Sequence, residues 1–207
     1  MTELYLVRHG ETDWNLARRI QGTTDIPLND TGRAQAQATG RLLARRQWDG
    51  IYASPLGRAM ETGSIIAAEL GMPTPTPVLG VVEREYGEAE GLTWEQIEER
   101  FPEGAEVPGR ETREHVAERV VAALCELANA HPGEKLIVVS HGGAIRSVLQ
   151  TAEPDAKHPM ITNGSVHSFR MTEGGLELIA FDDSIEAESL GGGGDIEQQN
   201  ALEHRPA

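Results

Sequence analysis

Cysteine is almost absent: Cys125 is the only one in 207 residues, so no internal disulfide can staple this chain. It sits in the run VVAALCELA, whose periodicity reads as a buried helix face, and a core thiol is expected there rather than a nucleophile. Lysine is scarce as well, Lys135 and Lys157 being the only two among 18 basic residues. The planar arginine fork suits bidentate phosphate recognition, although genome composition explains the bias more simply. No long apolar run and no basic leader occurs, since Met1 leads straight into the strand-like LYLV. Neither a secretory signal nor a spanning helix is therefore expected, and the expected compartment is the cytoplasm. Positive charge is in deficit too: 33 acidic residues against 18 basic ones give a formal charge of -15. A basic face for nucleic acid or for an anionic membrane is not expected, and an anionic ligand would need a locally built positive pocket.

What the chain does contain is enough apolar residue, 39%, to bury one full core, and the length suits a single domain. Short apolar runs alternate with longer amphipathic ones, the pattern of an α/β domain with a mostly parallel central sheet flanked by helices. Residues 3–7, 50–53 and 135–139 read as strands covered on both faces. Helical spacing marks 31–46, 56–70 and 112–130, the last with Val116, Val120, Val121, Leu124 and Leu127 on one side. Thr93-x-x-Gln96 resembles a capping box opening a helix to about Arg100. Ser165–Met171 and Leu176–Phe181, joined through Glu173-Gly174-Gly175, read as a C-terminal hairpin. The domain is expected to span 1–184. Residues 185–207, with the Gly191–Gly194 run, read as an appended, flexible, acidic glycine-rich tail. From Asp182 onward seven acidic residues (Asp182, Asp183, Glu186, Glu188, Asp195, Glu197, Glu203) face only Arg205, a net of -6.

Chemistry concentrates where strands end. His9 in LVRHGET and His141 in VVSHGGA each follow an apolar strand and precede a glycine. In an open α/β sheet ligands bind beyond the carboxyl ends of the strands, and glycine there lets backbone approach a bound group closely. Either histidine alone would read as a satisfied core or surface residue; at matched strand ends the two point into one crevice. In IYASPLGRAMET, Ser54 reads as a helix cap, Pro55 as the first helical residue and Arg58 as part of the first turn. Arg58 could equally pair with Glu61 on its own helix. With Arg8 beside His9, the two arginines and two histidines form a tetra-basic pocket suited to phosphoryl transfer. An acid or base must come from elsewhere, and VVEREYGEAEGLTWEQI offers Glu83, Glu85, Glu88 and Glu90. Glu83, ending an apolar stretch, is best placed for burial.

LVRHGET, SPLGRAMET, Glu83 before a glycine and VVSHGG together resemble the histidine phosphatase superfamily, also called the phosphoglycerate mutase-like family, over roughly residues 3–181. The resemblance implies that His9 is the nucleophile, that Arg8, Arg58 and His141 grip the phosphoryl oxygens, and that Glu83 is the proton donor. Asn15 and the turn Gln21-Gly22-Thr23 fall where the family adds phosphate or substrate contacts, and Gly142 follows the second histidine. No metal and no cofactor are expected, since His115, His131, His158, His167 and His204 show no ligand spacing. The implied partner is a small phosphorylated metabolite, and a homodimer is an allowed assembly.

Hydrolases and mutases share this core. Glu83-Arg84-Glu85-Tyr86-Gly87 is similar to the mutase E-R-x-Y-G string, in which Arg84 and Tyr86 would contact a carboxylate-bearing substrate. Cofactor-dependent mutases, however, carry a long insertion after that string with adjacent arginines, and here no arginine pair appears between Arg84 and Arg113. A short, acidic cap favours hydrolysis of a phosphate monoester, with phosphoglycerate mutase as the alternative. A catalytically silent phosphate-binding module is a third reading, opposed by the intact set of Arg8, His9, Arg58, Glu83 and His141.

Overall fold

The computed structural model describes residues 1–185. Six strands, β1 (Glu3–Arg8), β2 (Gly50–Ala53), β3 (Thr76–Pro77), β4 (Lys135–Ser140), β5 (Val166–Thr172) and β6 (Gly175–Ala180), form one sheet in the order β3-β2-β4-β1-β5-β6. The β3-β2, β2-β4 and β4-β1 pairings are parallel, whereas β5 and β6 return antiparallel as a hairpin. The two-residue β3 ends on Pro77, which cannot donate to a ladder and so belongs at a sheet edge.

Alternation along the strands sorts the core into two layers. Leu4, Leu6, Leu136 and Val138 face the helices α5 (Arg113–Ala130) and α6 (Gly142–Ala152), packing on Val116, Val120, Leu124, Ile145 and Leu149. Tyr5, Val7, Ile137 and Val139 face the other way, onto Leu43 of α2 (Asp30–Leu43) and Ala59, Ile66 and Ala67 of α3 (Gly57–Leu70). Burying a side chain such as Leu124 in this way stabilises by roughly 1.5–3 kcal/mol. Cys125, on α5, is only half-buried, so the expected fully buried thiol sits instead at the margin of that layer.

A short helix α1 (Asp13–Leu16) and α4 (Trp94–Arg100) complete the α-helices among the described residues, each opened by a reciprocal capping box, Thr12 with Asn15 and Thr93 with Gln96, and 3-10 turns occur at Leu79–Val81 and Gly87–Ala89. Around α4, Ala89, Ile97 and Val107 form a small separate cluster with Ile20, Tyr86, Leu92 and Phe101. This cluster roofs the carboxyl ends of the parallel strands.

Two local expectations fail. Ser54 does not cap α3 and Pro55 is not its first residue: the helix begins at Gly57 after Leu56, which makes no side-chain cap. The Ser54 hydroxyl is engaged by His141 instead, 2.7 Å away. The tail expected from residue 185 also starts too early, because Ile185 is buried against the Tyr5 and Val7 layer. The rest of the proposed tail lies outside the described residues.

Candidate active site

Strand register brings the two histidines together. Arg8 pairs with Ser140 across β1 and β4, so His9 and His141 are the next residues on adjacent parallel strands, and the His9 amide donates to Ser140 O at 3.0 Å. Their rings lie 5.1 Å apart, both buried. His9 Nδ1 is 2.7 Å from Gly10 O, a contact only a protonated Nδ1 can make, so Nε2 is the unprotonated nitrogen, and its lone pair accepts from Arg58 Nε at 3.3 Å. Burial, followed by the positive charges of Arg8 and Arg58, holds the His9 pKa well below its ordinary value. His141 is driven the same way by burial, His9 and the arginines. Both rings are therefore neutral at physiological pH. The Gly10 amide in turn donates to Thr62 Oγ1 at 3.0 Å, and Gly10 packs so closely on Gly32 that a Cβ would collide with its backbone. The carbonyl that tethers His9 is thus itself fixed.

Arg58, fully buried in the first turn of α3, does not pair with Glu61, which binds Arg33 at 2.7 Å. Its guanidinium donates to Gly22 O at 2.7 Å, Thr24 O at 3.0 Å and His9 Nε2 at 3.3 Å, with Asp25 at 3.5 Å. Gly22 therefore contributes a carbonyl that aims Arg58, and Thr23 donates its amide to Glu90 at 3.0 Å. Neither lines the hollow beside His9. Glu90 also receives the amide and hydroxyl of Thr24 and the amide of Tyr86. Burial would raise its pKa, but these donors outweigh it and lower it. Glu90 is a carboxylate clip between the 22–24 turn and the roof. Arg8 donates to Ile161 O at 2.6 Å, while its Nε, like Gln21 Nε2 and His141 Nδ1, is buried with no partner among the described residues.

Glu83 is the one of the four candidate acids that is buried, at 6% exposure. Its carboxyl accepts from the Gly143 amide at 2.9 Å, the Ala144 amide at 3.1 Å and its neighbour Arg84 at 2.8 Å, sitting on the N-terminus of α6. Burial pushes its pKa up against the pull of those amides and of Arg58 and Arg8. Tyr86 stands beside it, its phenol raised to about 12 chiefly by burial. The guanidiniums of Arg84 and Arg110 lie 5.4 and 5.8 Å from the Tyr86 ring. Arg84 itself donates to Glu111 O at 2.8 Å and does not line the hollow. The cap is consequently basic around Tyr86, where linear spacing read it as acidic and without an arginine pair.

A hollow of about 260 Å³ is lined by Arg8, His9, Asn15, Gln21, Glu83, Tyr86 and Gly142 among others, while Arg58 and His141 reach His9 itself, Arg58 at Nε2 and His141 ring to ring. Against known proteins, a model of the histidine phosphatase superfamily (branch 1) matches residues 4–184. The chain belongs to the histidine phosphatase superfamily. Among related sequences, the "uncharacterized phosphatase PhoE" of Bacillus subtilis is 39% identical over 84% of this chain and 90% of its own. A probable phosphoglycerate mutase, GpmB of Yersinia pestis, is 36% identical over 73% of this chain and 74% of its own. Among solved structures, YhfR of Bacillus stearothermophilus superposes with a TM-score of 0.80 at 28% identity, over 90% of this chain and all of that one. A mutant phosphoserine phosphatase of Entamoeba histolytica in complex with phosphoserine gives 0.74 at 27%, over 89% of this chain and 98% of that one. The phosphoglycerate mutase-like fold and an enzyme of the histidine phosphatase type are thereby established for the chain.

Several residues of this histidine phosphatase site escape sequence reasoning. Ser54 holds His141, Thr62 holds Gly10, and Asn163 donates to His9 O at 2.9 Å and to Asn15 at 3.3 Å. Arg19 and Arg146 line the hollow, and no described carboxylate pairs with either. Arg19 donates to Gly91 O at 2.6 Å, and Arg146 to His158 O at 3.0 Å and Pro159 O at 2.5 Å. A lone arginine or threonine in a polar stretch carries no signal until the fold shows what it faces.

Proposed function

We propose that the enzyme hydrolyses a small phosphate monoester through a phosphohistidine on His9. The observation that carries this reading is His9 Nε2, an unprotonated nitrogen whose ring is fixed by the Gly10 carbonyl and which accepts from Arg58 Nε, in a site where the buried donors Arg8 Nε, Gln21 Nε2 and His141 Nδ1 have no partner among the described residues. Nε2 attacks phosphorus in line, and the Nε2–P bond forms as the bond to the ester oxygen breaks. Arg8 and Arg58 meet the charge on the equatorial oxygens. A Ser54 hydroxyl donating to His141 Nε2 leaves Nδ1 as an N–H donor toward the same group. Glu83, neutral because burial and the incoming dianion both raise its pKa, gives its proton to the departing oxygen. Now ionised, it takes a proton from the water that attacks phosphohistidine, releasing phosphate and restoring His9.

At about 260 Å³ the hollow is smaller than the roughly 300–1,000 Å³ typical of sites for larger ligands, so the alcohol part is metabolite-sized. Arg19 and Arg146 lie beyond the phosphoryl-binding groups and favour an alcohol with its own anionic group. The test is phosphate release from p-nitrophenyl phosphate with chelator present: the wild type turns over and His9→Ala does not. Activity retained by His9→Ala and abolished by chelator would sink the reading.

One observation favours phosphoglycerate mutase as a second reading, the Arg84 and Arg110 pair against Tyr86. Incubation with 3-phosphoglycerate decides between them. The 2-isomer, formed in dependence on a bisphosphate, supports the mutase; free phosphate alone supports the phosphatase.

A further inference from the structure

Glu83 has to hold one position to within a fraction of an ångström, yet the backbone that carries it, residues 82–85, belongs to no helix or strand. Sites on irregular backbone need support from a second layer of contacts. Ser140 Oγ holds Val81 O at 2.8 Å, and most of the remaining main-chain support comes from one side chain and its partner. Arg119, on α5, directs all five of its N–H groups at this segment and at one carboxylate. Nη1 donates to Gly80 O at 3.0 Å and Val82 O at 2.8 Å, and Nη2 donates to Glu83 O at 3.0 Å. Nε and Nη2 also grip Glu111 at 2.7 and 2.9 Å.

Glu111 continues the clamp on the other side of the acid. Its carboxylate accepts from the Glu85 amide at 3.2 Å, its amide donates to Glu85 O at 2.9 Å, and its carbonyl accepts from Arg84 Nε at 2.8 Å. The Glu111 side chain is only 7% exposed, and its bonds to Arg119 and the Glu85 amide outweigh burial and keep it ionised. No contact of either residue with the hollow beside His9 exists. A buried ion pair is poor evidence of added stability, because desolvation offsets the attraction. Its geometry here is directed at one object, the main chain from Gly80 to Glu85.

We infer that Arg119 and Glu111 are positioning residues for proton transfer by Glu83: the pair fixes the backbone carbonyls on either side of the acid and thereby aims its carboxyl at the leaving oxygen. The inference rests on the reading of Glu83 as proton donor. Without the clamp the carboxyl loses its aim while His9, Arg8 and Arg58, held by other elements, keep theirs.

The decisive readout is leaving-group dependence of kcat/KM, which covers steps only through the first irreversible one, here phosphoryl transfer with loss of the alcohol. Two esters of similar shape serve: p-nitrophenyl phosphate, whose leaving group departs unaided, and phenyl phosphate, whose phenol has a tyrosine-like pKa of about 10. Arg119→Ala is expected to lower kcat/KM for phenyl phosphate by about 10–100-fold, short of the ~100–10,000-fold a general acid itself contributes, and to change p-nitrophenyl phosphate by less than about threefold. Arg119 also lines a cavity of about 330 Å³ with Leu79, Gly80 and Val82, so added guanidinium ion, far below denaturing concentration, should restore part of the phenyl phosphate activity. Glu111→Gln, which keeps the shape but removes the charge and turns one of the two accepting oxygens into a donor, is expected to show the same selectivity at smaller amplitude. It decides the matter should Arg119→Ala not fold. Equal losses on both esters, or no rescue, would overturn the inference. Glu83→Gln separates the two claims. If it is itself indifferent to the leaving group, the proton-donor reading fails; if it is steep while Arg119→Ala and Glu111→Gln are flat, only the clamp fails.

Discussion

Gly143→Ala tests whether the seat of Glu83 is as tight as the site requires. Gly143 is the second residue of α6, and its amide is one of three that hold the Glu83 carboxyl. A Cβ there would collide with Glu83 Oε1, come within 3.1 Å of Glu83 Cδ and within 3.2 Å of the Tyr86 hydroxyl. Real Cβ atoms are rarely that close to anything, and Glu83 is buried and Tyr86 half-buried, so one of them has to move. Alanine in a helix is worth up to about 1 kcal/mol over glycine, which offsets part of an overpacking cost of about 1–3 kcal/mol. The net change in stability is therefore small, within about 2 kcal/mol, and urea unfolding should show a folded enzyme. Activity should respond quite differently. Displacing Glu83 removes the proton donor, so kcat/KM for a poor leaving group falls by about 100-fold or more, while binding of inorganic phosphate, which engages His9, Arg8 and Arg58, changes little. Introduced into Glu83→Gln, the alanine should add almost no further kinetic loss, because both changes remove one function. A Gly143→Ala enzyme with wild-type kinetics on poor leaving groups would refute the assignment of Glu83.

Three further outcomes are expected. His167 is fully buried, accepts from the Asp182 amide at 3.1 Å and has a pKa lowered by burial to about 4. Between pH 6.5 and 4 the unfolded chain binds a proton that the folded one refuses, so stability falls with acidity by about 3 kcal/mol from this residue. His9 and His141 act with the same sign, and His167→Gln should flatten the slope of unfolding free energy against pH; an unchanged slope rejects the account. Arg19→Gln should raise KM by about tenfold for phosphate esters that also carry a carboxylate, a loss of about 1.4 kcal/mol, and leave p-nitrophenyl phosphate near wild type; equal effects on both remove Arg19 from the substrate. Thr62→Val strands the buried Gly10 amide, at a cost of about 1–3 kcal/mol by denaturant unfolding, and a neutral result would mean that the amide finds another acceptor.

Most of the sheet and its crossover helices are legible because period and length suffice for them: three of the four parallel strands, β1, β2 and β4, are short and largely apolar, and α2, α3 and α5 carry apolar positions at helical spacing, whereas the two-residue β3 is too short to show a pattern. The pairing of His9 with His141 follows from equal strand ends, a one-dimensional cue that register converts directly into proximity. The sequence reading leaves 142–152 unassigned, although Ile145, Val148 and Leu149 have helical spacing, because the run that precedes them reads as strand and loop. Ser54 misleads for a chemical reason: serine before proline satisfies a cap and a histidine partner equally well, and only the neighbouring strand shows which it serves. The basic side of the cap is invisible for a geometric reason. Arg84 and Arg110 are 26 positions apart, and they meet across Tyr86 because the 108–111 segment folds back on 85–88.

Neutral imidazoles beside buried guanidiniums give the site its chemical bias. Were His9 protonated, the pocket would bind phosphate more tightly and transfer none of it, since the attacking lone pair would be occupied. Burial first, and then the charges of Arg8 and Arg58, prevent this, and in the proposed mechanism the same two arginines meet the anion, so one arrangement would both keep the nucleophile unprotonated and bind its target. Glu83 is subject to the opposite pressures: burial favours its protonated form, while the α6 amides and the two arginines favour the ionised one. In the proposed mechanism a dianionic ester entering beside it weakens the arginines' hold and tips the balance toward the acid, and its departure as alcohol and phosphate tips it back. A carboxyl with only one of those pressures would be locked in a single state and could serve either leaving-group protonation or water activation, but not both in turn.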